Sequence, residues 1–244
     1  MVSRCASRWG GIEVVDATLE GLAHAASDGC DYFVLLSGQD LALWSIEKIL
    51  GFLERAKGRS YMEHVPLPDS RYNGRLRIDL YTYTVFGRRE TCIPAGVASG
   101  LSWKGRLLNL VLRGRSALKP PRRFPPYVRP YGGSQWWNLS RPAVDFVLGF
   151  LEQHPDYRAY HEHTLLPDEL LIQSIVAGTA FARQYEVVND SLRFMVWSAG
   201  NSHPKTLEPG DIPEMLASGK PFARKFDLEK DPAELEQFAR SLGG

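Results

Sequence analysis

The run Asp31-Tyr32-Phe33-Val34-Leu35-Leu36 is too short for a buried helix and shows no polar alternation, so it reads as a strand covered on both faces. It runs into Ser37-Gly38-Gln39-Asp40, a polar loop at the carboxyl end of a strand, where open α/β sheets hold ligands. Covering such a strand requires helices, and the flanking sequence supplies them. Over residues 12–26, Val14, Val15, Leu19, Leu22, Ala23 and Ala26 fall at helical spacing. After the loop Ile46, Ile49, Leu50 and Leu53 do the same, with Ser45 as N-cap. The order helix, strand, helix predicts an α/β fold with a layered sheet and helices on both faces, and 244 residues suffice for one domain of that kind.

A second constraint lies at His163 to Val176. Pro167 suits the first turn of a helix, since its φ is already helical and its missing N–H would have no partner there. Leu171, Ile172, Ile175 and Val176 then form one buried stripe. Glu169 falls in the first turn, where free N–H groups and the positive helix end favour a carboxylate. A carboxylate so placed is a candidate base if a substrate reaches it; first-turn acids are also common for dipole reasons alone.

Between these stretches lie two predicted strands, residues 60–65 and 77–85, and a basic, Pro-rich segment from Arg113 to Pro130. That segment reads as a solvated crossover loop or a contact for an anionic partner. Gly132-Gly133 permits close backbone approach or positive φ, and the adjacent Trp136 and Trp137 point to opposite faces of an extended segment. Either one ring fills core while the other lines a cleft, or both pack in the core. A helix over 142–153 with Ser140 as cap follows, then a strand over 192–197. Near the end, Phe222 and Phe226 can anchor Lys220 to Asp227 and hold Arg224 and Lys225 in place. Residues 233–242 read as an amphipathic helix.

Net charge is +1, which gives no long-range field for nucleic acid. Cys5, Cys30 and Cys92 are too scattered for a disulfide framework or a C-x-x-C metal site, which favours a reducing compartment. No apolar run reaches the roughly 20 residues of a membrane span, and the first residues lack a signal-peptide core. The expectation is a soluble, cytoplasmic chain, free or at the inner face of a membrane. Phosphate-binding glycine motifs, G-x-S-x-G, H-E-x-x-H and Asp-x-Asp are all absent. His161 and His163 flank Glu162, but no third ligand stands near in sequence, so no metal site is expected.

Trp9-Gly10-Gly11, Tyr32 to Asp40, Gly133-Ser134-Gln135-Trp136, Leu165 to Glu169, Leu192 to Trp197 and Phe222-Ala223-Arg224-Lys225-Phe226 occur together and in this order. As a set they resemble the core-2/I-branching glycosyltransferase family, glycosyltransferase family 14, which includes β-1,6-N-acetylglucosaminyltransferases and peptide O-xylosyltransferases. The resemblance spans nearly the whole chain and leans towards the xylosyltransferase-like branch through His203-Pro204-Lys205. It implies a GT-A-like fold and an inverting transfer of N-acetylglucosamine or xylose from a UDP-sugar to an acceptor hydroxyl, without a metal or other cofactor. It makes Glu169 the base and Lys225, with Arg224 beside it, the diphosphate site. Lys205 is the nearest match to a second phosphate-binding cation. Trp197, Trp136 and Glu63 would line the acceptor site. Family members carry further strand–helix units ahead of the Trp-Gly-Gly stretch, so a catalytic domain incomplete at its amino end is expected. The alternative is a non-catalytic carbohydrate-binding or scaffold protein of the same fold.

Overall fold

The structure, a computed structural model, describes residues 7–69, 72, 74–197 and 203–227. Along the chain, α1 (Ile12–Ser27) leads into β1 (Tyr32–Val34), followed by β2 (Asp40–Ala42), α2 (Ile46–Arg55), β3 (Ser60–Met62) and β4 (Val65–Pro66). Next come α3 (Gly74–Ile78), the hairpin β5 (Thr82–Val85) and β6 (Arg88–Thr91), and α4 (Trp103–Ala117). β7 (Tyr131–Gly132), β8 (Trp137–Ser140), α5 (Arg141–Gln153), α6 (Pro155–His161), α7 (Leu171–Gly178) and α8 (Phe181–Gln184) follow. The last described elements are β9 (Val187–Val188), β10 (Arg193–Phe194), α9 (Ile212–Ala217) and β11 (Phe222–Arg224).

The fold is mixed α/β with several sheets. The central one has the order β1-β8-β3-β9, antiparallel except for β3 with β9. Strand alternation sends Phe33, Met62, Trp137 and Leu139 to one face, where α1, α5 and α7 cover them with Val15, Val144, Val147 and Ile175. Tyr32, Val34 and Tyr61 face the other way and meet α2 through Ile49, Phe52 and Leu53. Helices therefore cover both faces of this sheet, as the sequence predicts. A second sheet, β10-β11-β2, sets Arg224 opposite Asp40 in register.

Several boundaries differ from expectation for physical reasons. Among the described residues β1 pairs only with β8, so it is an edge strand with Phe33 alone of its three residues buried rather than a fully covered one. An open cleft lined by Val14, Leu22, Tyr32 and Val34 runs beside it. Residues 77 and 78 are helical, not extended, because the buried Arg77 reaches Glu169 while Ile78 packs with Leu67 and Leu170. These tertiary contacts override a β-rich local sequence. The expected loop from Arg113 is helical through Ala117, since the breaking prolines begin only at Pro120. Ser140 occupies the cap position of α5, yet its hydroxyl lies 3.1 Å from the Ser60 hydroxyl instead of capping. The expected helix over 233–242 lies outside the described residues.

Candidate active site

Pro167–Glu169 forms a single 3-10 turn, and α7 begins only at Leu171. Glu169 thus precedes the helix instead of standing in its first turn, and its position is set by side chains more than by the helix end. Leu166 is left-handed at φ 52°, a strained setting for a branched residue, and its N–H donates to the Gly10 carbonyl at 3.3 Å. The Trp9-Gly10-Gly11 stretch thereby fixes the approach to the turn. The Glu169 Oε2 atom accepts from Arg77 Nη1 at 2.7 Å. Among the described residues Oε1 accepts no hydrogen bond. The Arg77 guanidinium lies 5.8 Å from the Tyr72 ring centre, and the Tyr72 hydroxyl donates to Glu63 Oε1 at 2.7 Å. Glu63 and Glu169 are therefore joined by one chain of contacts through Tyr72 and Arg77.

Gly133 closes this arrangement from behind. Its N–H donates to the Glu169 carbonyl at 3.0 Å, and a Cβ at this position would stand 1.8 Å from the Glu63 carbonyl oxygen. Close approach, rather than positive φ, is why glycine is required here. Asp168 is partly buried, with its Oδ1 atom sealed from solvent, beside a small cavity bordered by Thr18, Gln135 and Trp137. Burial first, then the neighbouring Glu169 charge, pushes its carboxyl up to about 7.

Three residues beyond Gly133, the Trp136 ring carries the second half of the site. The Arg224 guanidinium stacks 3.7 Å from its centre, a cation–π contact. Phe222 and Phe226 are both buried and pin β11 from either side of Arg224. Arg193 comes in from β10, with Nε 3.5 Å from Asp40 Oδ1. Asp40 in turn accepts from the Ser37 N–H at 2.8 Å. Burial lowers both guanidinium pKa values, Arg193 to about 10 with Asp40 opposing the shift, and charge at neutral pH is retained. Two buried cations thus face one carboxylate. Nε and Nη1 of Arg224 are buried without a hydrogen-bond partner, a donor set that suits an anion.

Glu169, Glu63, Trp136 and Arg224 are strung along the segment 133–136 and the adjoining strand β11, and Lys225 follows Arg224 just past that strand. Trp137 fills core at 2% exposure, while Trp136 is partly open beneath Arg224. Lys225 is partly buried, and its carbonyl accepts the Leu207 N–H at 2.8 Å. Lys205 is engaged elsewhere, its Nζ at 2.8 and 2.9 Å from the two Asp211 oxygens. Trp197 is 58% exposed at the end of a described segment and meets none of these groups by a ring contact. Arg77, Tyr72 and Arg193 escape the sequence reading. Arg193 had a visible signal, a charge inside an apolar run, whereas the strand assigned over 77–85 hid Arg77. His161 is fully buried against Phe124, Tyr157 and Tyr160, and among the described residues no group of three or more His, Cys, Asp or Glu is placed to hold a metal ion.

The chain is 30% identical over 129 residues to beta-glucuronosyltransferase GlcAT14B of Arabidopsis thaliana, covering 50% of this chain and 29% of that protein. It is 22% identical over 263 residues to xylosyltransferase oxt of Drosophila melanogaster, covering 99% of this chain and 27% of the relative. With beta-glucuronosyltransferase GlcAT14C of Arabidopsis thaliana it shares 24% over 242 residues, 96% of this chain and 57% of the relative. The chain spans between about a quarter and just over half the length of these relatives. The family profile described as Core-2/I-Branching enzyme matches residues 2–217, so the chain belongs to that glycosyltransferase family.

Proposed function

We propose that this chain transfers a sugar from a UDP-sugar to an acceptor hydroxyl with inversion, on a GT-A-like scaffold. The donor sugars are xylose or N-acetylglucosamine, to which the names of the plant relatives add glucuronic acid. Glu169 accepts the acceptor's hydroxyl proton as that oxygen bonds to the anomeric carbon, and the anomeric bond to UDP breaks. Arg224 and Lys225 take up the charge developing on the departing diphosphate, electrostatic work that fixed cations perform without a metal. Arg77 orients Glu169. Glu63 and Trp136 border the gap in which acceptor and donor meet.

One observation carries this reading: Gly133 bonds the Glu169 backbone, while Trp136 underlies Arg224. Three residue steps separate those anchors, at most ~11 Å of extended chain. A proton acceptor and an anion-seeking cation cluster are thus tied to the two ends of one short segment. In a transfer assay, Glu169→Gln is expected to lower kcat by ~10²–10⁴-fold. UDP affinity is expected to stay close to that of the parent. Retained turnover would remove Glu169 from the role.

A further inference from the structure

Among the described residues, a strongly two-sided surface lies on α4. One side of this helix sits on the β5–β6 hairpin through buried Leu112 and Asn109, whose amide exchanges two hydrogen bonds with the Ile93 backbone. The side facing away carries Trp103, Leu107, Leu110 and Val111, with Leu118 just past its end, all between 55% and 89% exposed. At about 100° per residue these five side chains fill an arc of roughly 100°. Exposed apolar stripes of this size on a soluble surface mark a partner.

The flanks of the stripe are cationic. By the same helical geometry Lys104 and Arg115 border it on one side, Arg106 and Arg113 on the other. From Ser102 to Arg123 the sequence holds seven Lys or Arg residues and no Asp or Glu, within a chain whose net charge is only +1. Arg122 is buried and donates to the carbonyls of Arg77 and Leu80, and Lys119 Nζ lies 2.6 Å from His163 Nε2, so the cations that flank the stripe are the four exposed ones on α4 itself, Lys104, Arg106, Arg113 and Arg115.

We propose that α4 lies flat on an anionic lipid bilayer, its leucines and Trp103 in the acyl boundary and its flanking cations at the phosphate level. An apolar stripe between two basic borders is the charge and hydropathy complement of that surface. Nucleic acid would satisfy the cations but leave the leucines in water. A second copy packed through the same stripe would bring basic borders against basic borders. The inference is independent of the transfer chemistry, because binding is read without substrate.

Co-sedimentation of the whole chain with vesicles tests it, using phosphatidylcholine alone and phosphatidylcholine mixed with phosphatidylglycerol. Binding to the mixed vesicles is expected to be at least ~10-fold tighter and to weaken with salt. Leu107→Glu with Leu110→Glu should reduce it a further ~10-fold or more, and Arg113→Ser about fivefold. All three side chains are exposed, so an unchanged thermal melt is expected and serves as the control for folding. Equal affinity for both vesicles, no sedimentation with either, or a double-glutamate variant that binds like the parent would each overturn the proposal. So would a concentration-dependent dimer that the double variant abolishes while vesicles capture nothing, or tighter capture by a DNA duplex than by the mixed vesicles.

Discussion

Two adjacent carboxyl groups, Asp168 and Glu169, are given different surroundings by one turn of chain. Glu169 meets the buried Arg77 guanidinium, whereas Asp168 turns into an apolar cavity with an unpartnered Oδ1. Its carboxyl, ordinarily ionised above 3.8, stays protonated to about 7 in the folded chain. A group with a raised folded pKa contributes stability that is complete at low pH and is lost as pH climbs through the folded value. Asp168→Asn should therefore flatten the fall in stability between about pH 4 and 7, leaving the variant more stable than the parent at pH 8 by of order 2–4 kcal/mol. Urea titrations at pH 5 and pH 8 check this; a parent whose stability does not fall over that interval would contradict the buried-acid reading. At the other end of the site, Arg224 has packing on Trp136 but spare donors, so Arg224→Lys should fold yet bind an anion less well, since an ammonium lacks the planar fork.

Among the elements, α7 is the most deeply set. Leu171, Ile175 and Val176 are wholly buried, and Tyr157 donates to the Leu171 carbonyl at 3.2 Å, so the helix that follows Glu169 cannot shift without opening the core. Ile175→Ala is expected to cost about 2–5 kcal/mol in urea unfolding. A loss below 1 kcal/mol would mean the site rests on a softer base. The stripe of α7, the periodicity of α1 and α2, and the Ser45 cap, whose hydroxyl accepts the Lys48 N–H, were all legible because helical spacing is a local signal. The edge position of β1 and the shortness of β10 were not, since pairing depends on partners remote in sequence. Phe222 and Phe226 could be read as anchors from their spacing alone. Arg77 could not, because its helix exists to satisfy a contact 92 residues away.

At the scale of the molecule, the carboxylate and the cations belong to different parts of the fold. Glu169 closes the 3-10 turn just ahead of α7, and Arg224 ends a strand of the second sheet. The Gly133–Trp136 segment links them, which makes Gly133 a whole-molecule residue: Gly133→Ala would push the Glu63 and Glu169 backbones apart and is expected to lower transfer more than it lowers the melting temperature. The most direct test of a shared site is calorimetric titration of UDP into the parent chain and three variants. UDP is expected to bind the parent, to bind Lys225→Ala and Arg224→Ala roughly 10–100-fold more weakly, and to bind Glu169→Gln with little change. UDP affinity indifferent to both cationic positions would contradict it.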